Sequence, residues 1–81
     1  MIEPEKIVEK IQTALPGAEV DVQDLTGTKD HYKARVVAEQ FEGQNLVARH
    51  RLVYDALSEE MKGPIHALTL DVYTPEEWAQ Q

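Results

Sequence analysis

The chain has 81 residues, which we expect to form a single domain over positions 1–81, with 42% hydrophobic and 28% charged residues, as in ordinary globular proteins. Eight basic and fifteen acidic residues give a net charge of −7, which argues against general attraction to nucleic acid or anionic lipid, and the absence of cysteine excludes disulfides and thiol nucleophiles. No apolar run is long enough to span a bilayer, and the first residues, MIEPEKIVEK, lack a signal-peptide core, so we expect a soluble cytoplasmic protein.

The first predicted element is a helix that begins at Pro4, a residue suited to the first helical position. Its apolar stripe is formed by Ile7, Val8, Ile11 and Leu15, and LPG at 15–17 ends it. Residues 19–25 then alternate between polar and apolar side chains, which predicts a strand, and TGTKD at 26–30 predicts a turn.

HYKARVVA at 31–38 predicts a second strand that is buried on one side. The residues expected to face the core are Tyr32, Ala34, Val36 and Ala38, and those expected to face outward are His31, Lys33, Arg35 and Val37. Asn45 then suits the N-cap of a second helix, whose expected buried face carries the apolar positions 46, 47, 50, 53, 54 and 57. SEEMKG continues as a short extra turn or helix, with Gly63 as its end.

Ile65–Tyr73 predicts a third strand, in which His66 shares a face with Leu68, Leu70 and Val72. TPEEW at 74–78 predicts a capped C-terminal helix: Thr74 is the N-cap, Pro75 takes the first helical position and Glu77 completes a capping box. We expect Trp78 to pack back onto the domain. The pattern predicts an α+β fold in which helices pack on one face of a three-stranded sheet.

The motifs of common enzymes are missing. The only serine, Ser58, lies in a helical context without a nucleophile elbow, and there is neither a Walker loop nor a GxGxxG motif. The glycines, at 17, 27, 43 and 63, are too far apart for a GxxG nucleic-acid loop. Because the carboxylates fit helix caps and solvated helix faces, an enzyme is the class with least support.

The residues with the most versatile chemistry are His31, His50 and His66, and no two of them form a local metal motif. His50 lies on the predicted apolar stripe of its helix, where a structural role is favoured. His31 opens a strand and faces outward. An exposed histidine at such a position more often has no functional role than acts as a ligand. His66 opens a strand on the apolar face, and the residues alone leave a structural role and a ligand role open.

Iron–sulfur chemistry is limited by the donors in this chain. Three imidazoles and no thiolates cannot complete the coordination of a cluster. The chain could supply one or two histidine ligands to a cluster whose other ligands are thiolates from a partner, as in the mixed ligation of Rieske centres.

Three segments resemble the BolA-like family: DHYKARVVAEQFEG at 30–43, RHRLVYDALSEEM at 49–61 and IHALTLDVYTPEEW at 65–78. With the N-terminal helix, the resemblance covers nearly the whole chain. It implies the order α-β-β-α-α-β-α, similar to class II KH domains. It also implies a non-enzymatic adaptor that partners a monothiol glutaredoxin in iron–sulfur cluster handling, iron regulation and stress responses.

In such heterodimers a [2Fe–2S] cluster is shared between the glutaredoxin cysteine, glutathione and the BolA-like protein. The C-terminal histidine of the family matches His66, so the resemblance implies that His66 is a cluster ligand. The second family ligand comes from the loop between the first two strands, where His31 is the only candidate.

Other readings stay open. Some members of the family are described as transcription regulators, and Arg49 and Arg51, with His50, Lys33 and Arg35, would form a local basic patch for nucleic acid. A third reading is a structural domain whose histidines are all satisfied internally. The sequence also leaves open whether the free protein is a monomer or a homodimer.

Overall fold

The computed structural model describes residues 2–27, 31–65 and 67–81. The helices are α1 (Pro4–Ala14), α2 (Leu46–Ala56) and α3 (Pro75–Ala79), the 3₁₀ turns are Glu39–Phe41 and Glu60–Lys62, and the strands are β1 (Glu19–Asp24), β2 (His31–Val37) and β3 (Ala67–Tyr73). This is the predicted α+β order, α-β-β-α-α-β-α, in which the third of the four helical elements is the second 3₁₀ turn, Glu60–Lys62.

The three strands form one mixed sheet in the order β1-β2-β3. β1 and β2 are antiparallel, and Glu19 lies opposite Val37. β2 and β3 are parallel, and His31 lies opposite Ala67. Because parallel neighbours cannot be joined by a tight hairpin, the chain crosses over between them through α2 and the two 3₁₀ turns.

The core lies between the sheet and the first two helices. α1 packs on β1 and against α2, and α2 packs on β3. The predicted inward residues of β2 are confirmed, because all are buried: Tyr32, Ala34, Val36 and the following Ala38. The prediction that Val37 faces outward into solvent is wrong, because Val37 is only 6% exposed. Tyr32 also donates a hydrogen bond from its hydroxyl to the backbone carbonyl of Ile2, 2.5 Å away, which fixes the chain before α1 to the core. No helix among the described residues has the length and apolar content to cross a membrane.

The predicted buried face of α2 is wrong in part. Val53 and Leu57, directly after the helix, are buried as predicted, but Leu46 and Val47 are 61% and 66% exposed. The third buried position is Arg49, which the prediction did not include. Those three positions are four residues apart and lie on one side of the helix. An arginine serves on this side because its aliphatic stem packs like an apolar residue while its guanidinium group is paired.

The predicted capping box at the start of α3 is confirmed. The Thr74 hydroxyl accepts from the Glu77 backbone N–H at 3.2 Å, and the Glu77 carboxylate accepts from the Thr74 backbone N–H at 2.9 Å. Trp78 packs back onto the domain, as expected: its ring lies 4.4 Å from the Arg35 guanidinium carbon and 5.2 Å from the ring of Tyr73. Arg35 lies on the sheet face opposite α1 and α2, so α3 extends a side chain over the outer face.

Candidate functional site

The site predicted from the sequence lies at the end of the sheet where β2 and β3 both begin. His31 is the first residue of β2, and its register partner Ala67 is the first residue of β3. His66 immediately precedes Ala67 in the chain and lies outside the described residues. Ile65, on its other side, is 2% exposed and belongs to the core. The parallel register therefore brings His31 beside the chain neighbour of His66.

The backbone of His31 is held in the sheet. Its carbonyl accepts a hydrogen bond from the Leu25 N–H at 2.9 Å, which extends the β1–β2 ladder by one pair beyond β1. The turn between β1 and β2 begins at Asp24, whose carboxylate accepts a hydrogen bond from the Gly27 N–H at 3.0 Å. Gly27 has a φ of 76°, a conformation that glycine adopts without strain. The side chain of His31 is half-buried at this rim.

The metal-binding capacity of this end is limited by its donors. Within residues 2–27, 31–65 and 67–81, no three His, Asp or Glu side chains converge as a metal site. His31 and His66 together would offer two imidazole nitrogens, which fits the histidine half of a Rieske-like ligand set. The chain has no cysteine, so the thiolate half has to come from another molecule.

His50 is not part of this end of the sheet. It lies midway along α2, half-buried, and its ring meets that of Tyr54 edge-on with the centroids 6.4 Å apart. The apolar periodicity of the helix predicted a buried position for His50, whereas it lines a surface depression with Val47, Arg51 and Tyr54.

Arg49 does not lie in a surface patch, and this corrects the expectation that it pairs with Arg51 for nucleic acid. It is 8% exposed. Its two terminal nitrogens donate to the two carboxylate oxygens of Glu77 at 2.7 and 3.2 Å, and its Nε donates to the Gln44 carbonyl at 2.9 Å. A guanidinium group with these partners has few donors left for phosphate. Arg51, by contrast, is exposed.

The other cations of the proposed basic patch are also engaged elsewhere. Lys33 lies 3.8 Å from an Asp71 oxygen, and Arg35 stacks on Trp78. Both project from the outer face of the sheet, and α2 covers the inner face. The structure therefore divides the predicted patch between opposite sides of the molecule.

Glu77 has two structural roles, and the sequence predicted only the first. It caps α3, and it also pairs with Arg49, 28 positions earlier. The hydrogen bond from Arg49, followed by that from the Thr74 backbone, lowers the pKa of Glu77 to about 2. The sequence signal for this pair was the spacing of Arg49. It lies four residues before Val53 and eight before Leu57, and therefore on the buried side of α2.

The family model described as BolA-like protein matches residues 10–77 of this chain. The chain belongs to the BolA-like family. A solved structure of a bolA protein homologue from Coxiella burnetii superposes on this BolA-like chain with a TM-score of 0.84 and 39% identity, covering 98% of this chain and 99% of that one.

Two curated relatives extend the comparison. BolA-like protein 1 of Mus musculus is 46% identical over 54 residues, which are 67% of this chain and 39% of that protein. The DNA-binding transcriptional regulator BolA of Escherichia coli (strain K12) is 35% identical over 81 residues, covering 91% of this chain and 77% of that protein. This BolA-like chain thus spans about two fifths of the length of the mammalian relative. These relatives are named as a BolA-like protein and a regulator, not as enzymes.

Proposed function

We propose that this BolA-like chain is a non-enzymatic adaptor that binds a monothiol glutaredoxin and contributes His66 and His31 to a shared [2Fe–2S] cluster. The glutaredoxin cysteine and glutathione supply the thiolate ligands. In this role the protein acts in iron–sulfur and iron homeostasis and in redox or stress regulation.

The observation that carries the proposal is the parallel register of His31 and Ala67. Two histidines 35 positions apart in the sequence become useful to one metal centre only if the fold returns the chain to the same place. The β2–β3 pairing returns it to within one residue of His66, at a rim where His31 is half-buried. The absence of cysteine makes a shared cluster the form that this donor set favours.

The chemistry that the cluster supplies when bound is one-electron redox activity and a transferable iron–sulfur unit. The residues of this chain contribute neutral imidazole nitrogens, whose basicity and direction depend on what the second ring nitrogen contacts. Ile65, buried in the core, anchors the backbone directly before His66, and the ladder bond from Leu25 anchors His31.

Replacing His66 by alanine is expected to remove the heterodimer cluster, and His31→Ala to shorten its lifetime in air by about tenfold, a typical cost of weakening a metal site. The measurement is the visible circular dichroism spectrum after co-expression with a monothiol glutaredoxin and anaerobic reconstitution with glutathione. His50→Ala, at a saturating glutaredoxin concentration, is the matched histidine control. If His66→Ala keeps the same spectrum and cluster lifetime as His50→Ala, the ligand proposal is wrong.

A second candidate function is nucleic-acid binding, which the name of the E. coli relative and the exposed Arg51 favour. Arg51→Ala is then expected to weaken DNA binding and to reduce the slope of log affinity against log salt by about one unit. Fluorescence anisotropy with labelled duplex DNA at several salt concentrations measures both. Lys62→Ala, an equal change of charge at another exposed site, controls for net charge. No binding by the wild type at low salt would remove this candidate.

A further inference from the structure

The two edges of the sheet differ in how they are protected. β1, at one edge, carries acidic side chains at Glu19, Asp21 and Asp24. β3, at the other edge, reads ALTLDVY, and its one charged residue, Asp71, lies 3.8 Å from the Lys33 ammonium. Charged side chains on an edge strand discourage pairing with another chain, and an apolar edge permits it. The β3 edge is therefore the one suited to accept a further strand.

The direction of the β3 backbone groups follows from one hydrogen bond. The Tyr73 carbonyl accepts from the Ala38 N–H at 3.0 Å, so the backbone groups of Tyr73 point toward β2. Because these directions alternate along a strand, the N–H and C=O groups of Leu68, Leu70 and Val72 point away from the sheet. Three consecutive donor–acceptor pairs thus face outward along β3.

An apolar surface adjoins this edge. Leu68 and Leu70 face α2 but are only half-buried. α1 covers β1 and α2 covers β3, and Ala56 of α2 lines a cavity with residues of α1. The side of α2 that carries Val47 and Tyr54 is turned away from α1, so it lies toward the β3 edge.

The widths of the helix layer and of the sheet leave space beside β3. Two packed helices, each about 10–12 Å wide, cover about four strands spaced about 4.8 Å apart. The sheet has three strands, and the second helix lies over the third of them. A fourth strand beside β3 would cover the exposed parts of Leu68 and Leu70 and pair with the outward backbone groups.

We infer that the β3 edge is a docking surface for an extended segment of the glutaredoxin partner, which adds as a fourth strand beside Leu68, Leu70 and Val72. The inference rests on the proposed function for the identity of the partner. β3 begins at the residue after His66, so a partner that shares a cluster at this end of the sheet reaches the β3 edge directly. The segment has apolar side chains on its inward face, toward Leu68 and Leu70, and an acidic residue that meets the exposed Arg51.

Amide hydrogen exchange tests the inference on the intact heterodimer. We expect the amides of Leu68, Leu70 and Val72 of the ¹⁵N-labelled chain to exchange at least about tenfold more slowly when unlabelled glutaredoxin is bound, since each gains a backbone partner. The outward amides of Val20 and Val22, on the β1 edge, are the internal control and are expected to be unchanged. A heterodimer in which the β3 amides exchange as in the free chain overturns the inference and leaves the proposed function intact.

A proline at the edge gives an independent test. Leu70→Pro removes an outward N–H but no hydrogen bond of the sheet, and Val22→Pro does the same on the β1 edge. Calorimetric titration with glutaredoxin is expected to show a loss of affinity of about tenfold for Leu70→Pro and less than about twofold for Val22→Pro. Equal losses overturn the inference. If the wild-type chain forms no complex with glutaredoxin, the proposed function fails, and the two failures are thereby distinguished.

Discussion

Replacing Phe41 by alanine is expected to lower the free energy of unfolding by about 3–5 kcal/mol, the usual cost of truncating a fully buried phenylalanine. The ring is 0% exposed and belongs to the cluster that includes Val53 of α2 and Leu57 directly after it. It also lies 5.9 Å below the guanidinium carbon of Arg49, so its loss opens a cavity beside the Arg49–Glu77 pair. An 81-residue domain has a total stability of about 4–12 kcal/mol, so this variant loses at least about a quarter of it.

Urea denaturation followed by far-UV circular dichroism measures this effect. Val47→Ala is the informative control, because apolar periodicity alone places Val47 in the core and the structure leaves it 66% exposed. The change in unfolding free energy for Val47→Ala is expected to stay within about 0.5 kcal/mol. A cost for Val47→Ala similar to that for Phe41→Ala would show that α2 buries the other side of the helix.

The second large effect is a loss of stability in acid that depends on Glu77. Its pKa is about 2, held down first by the hydrogen bond from Arg49 and then by that from the Thr74 N–H. A carboxylate with a lowered pKa in the folded state stabilises the fold above its unfolded pKa, near 4.5. This contribution is lost as the pH falls from about 4.5 through about 2. The Tm of the wild type should therefore fall across that range.

Glu77→Gln is expected to lower the Tm at pH 7 and to flatten the fall in acid. Arg49→Met, which keeps an unbranched apolar stem, should also flatten the fall, because Glu77 loses the first cause of its lowered pKa and its folded pKa rises toward the unfolded value. Thermal unfolding at pH 7, 4.5, 3 and 2 measures these changes. Glu76→Gln, at the neighbouring position in the first turn of α3, is the control and should keep the wild-type profile. A Glu77→Gln profile as steep as that of the wild type would contradict the assigned role.

Elements determined by near neighbours in sequence could be predicted. The capping box of Thr74 and Glu77 and the N-cap at Asn45 depend on residues within three positions, and both are present in the structure. The inward-facing residues of β2 could also be predicted, because burial on one side of a strand requires a period of two. The local patterns also predicted the overall order of elements, with which the resemblance to the BolA-like family agreed, and the structure confirms that order.

Features determined by distant partners could not be predicted. The apolar positions of α2 predicted a buried face that includes Leu46 and Val47, and the helix buries Arg49 instead. The burial of Arg49 depends on Glu77, which pairs with it across 28 positions. The parallel direction of β3 depends on the crossover through α2 and leaves no local signal. Without that direction, the sequence alone could not place His31 at the end of the sheet where β3 begins. The ligand role of His66, which lies outside the described residues, stays a prediction.

The central claim is that a histidine nitrogen of this chain binds the shared cluster, and pulsed EPR of the reduced heterodimer tests it directly. The chain carries ¹⁵N-labelled histidine and the glutaredoxin and glutathione carry natural nitrogen, so any strong ¹⁵N coupling to the paramagnetic cluster originates in this chain. We predict such a coupling in the wild type and in His50→Ala, and the loss of the cluster signal itself in His66→Ala. A reduced cluster that shows no strong ¹⁵N coupling in the wild-type heterodimer would contradict the claim.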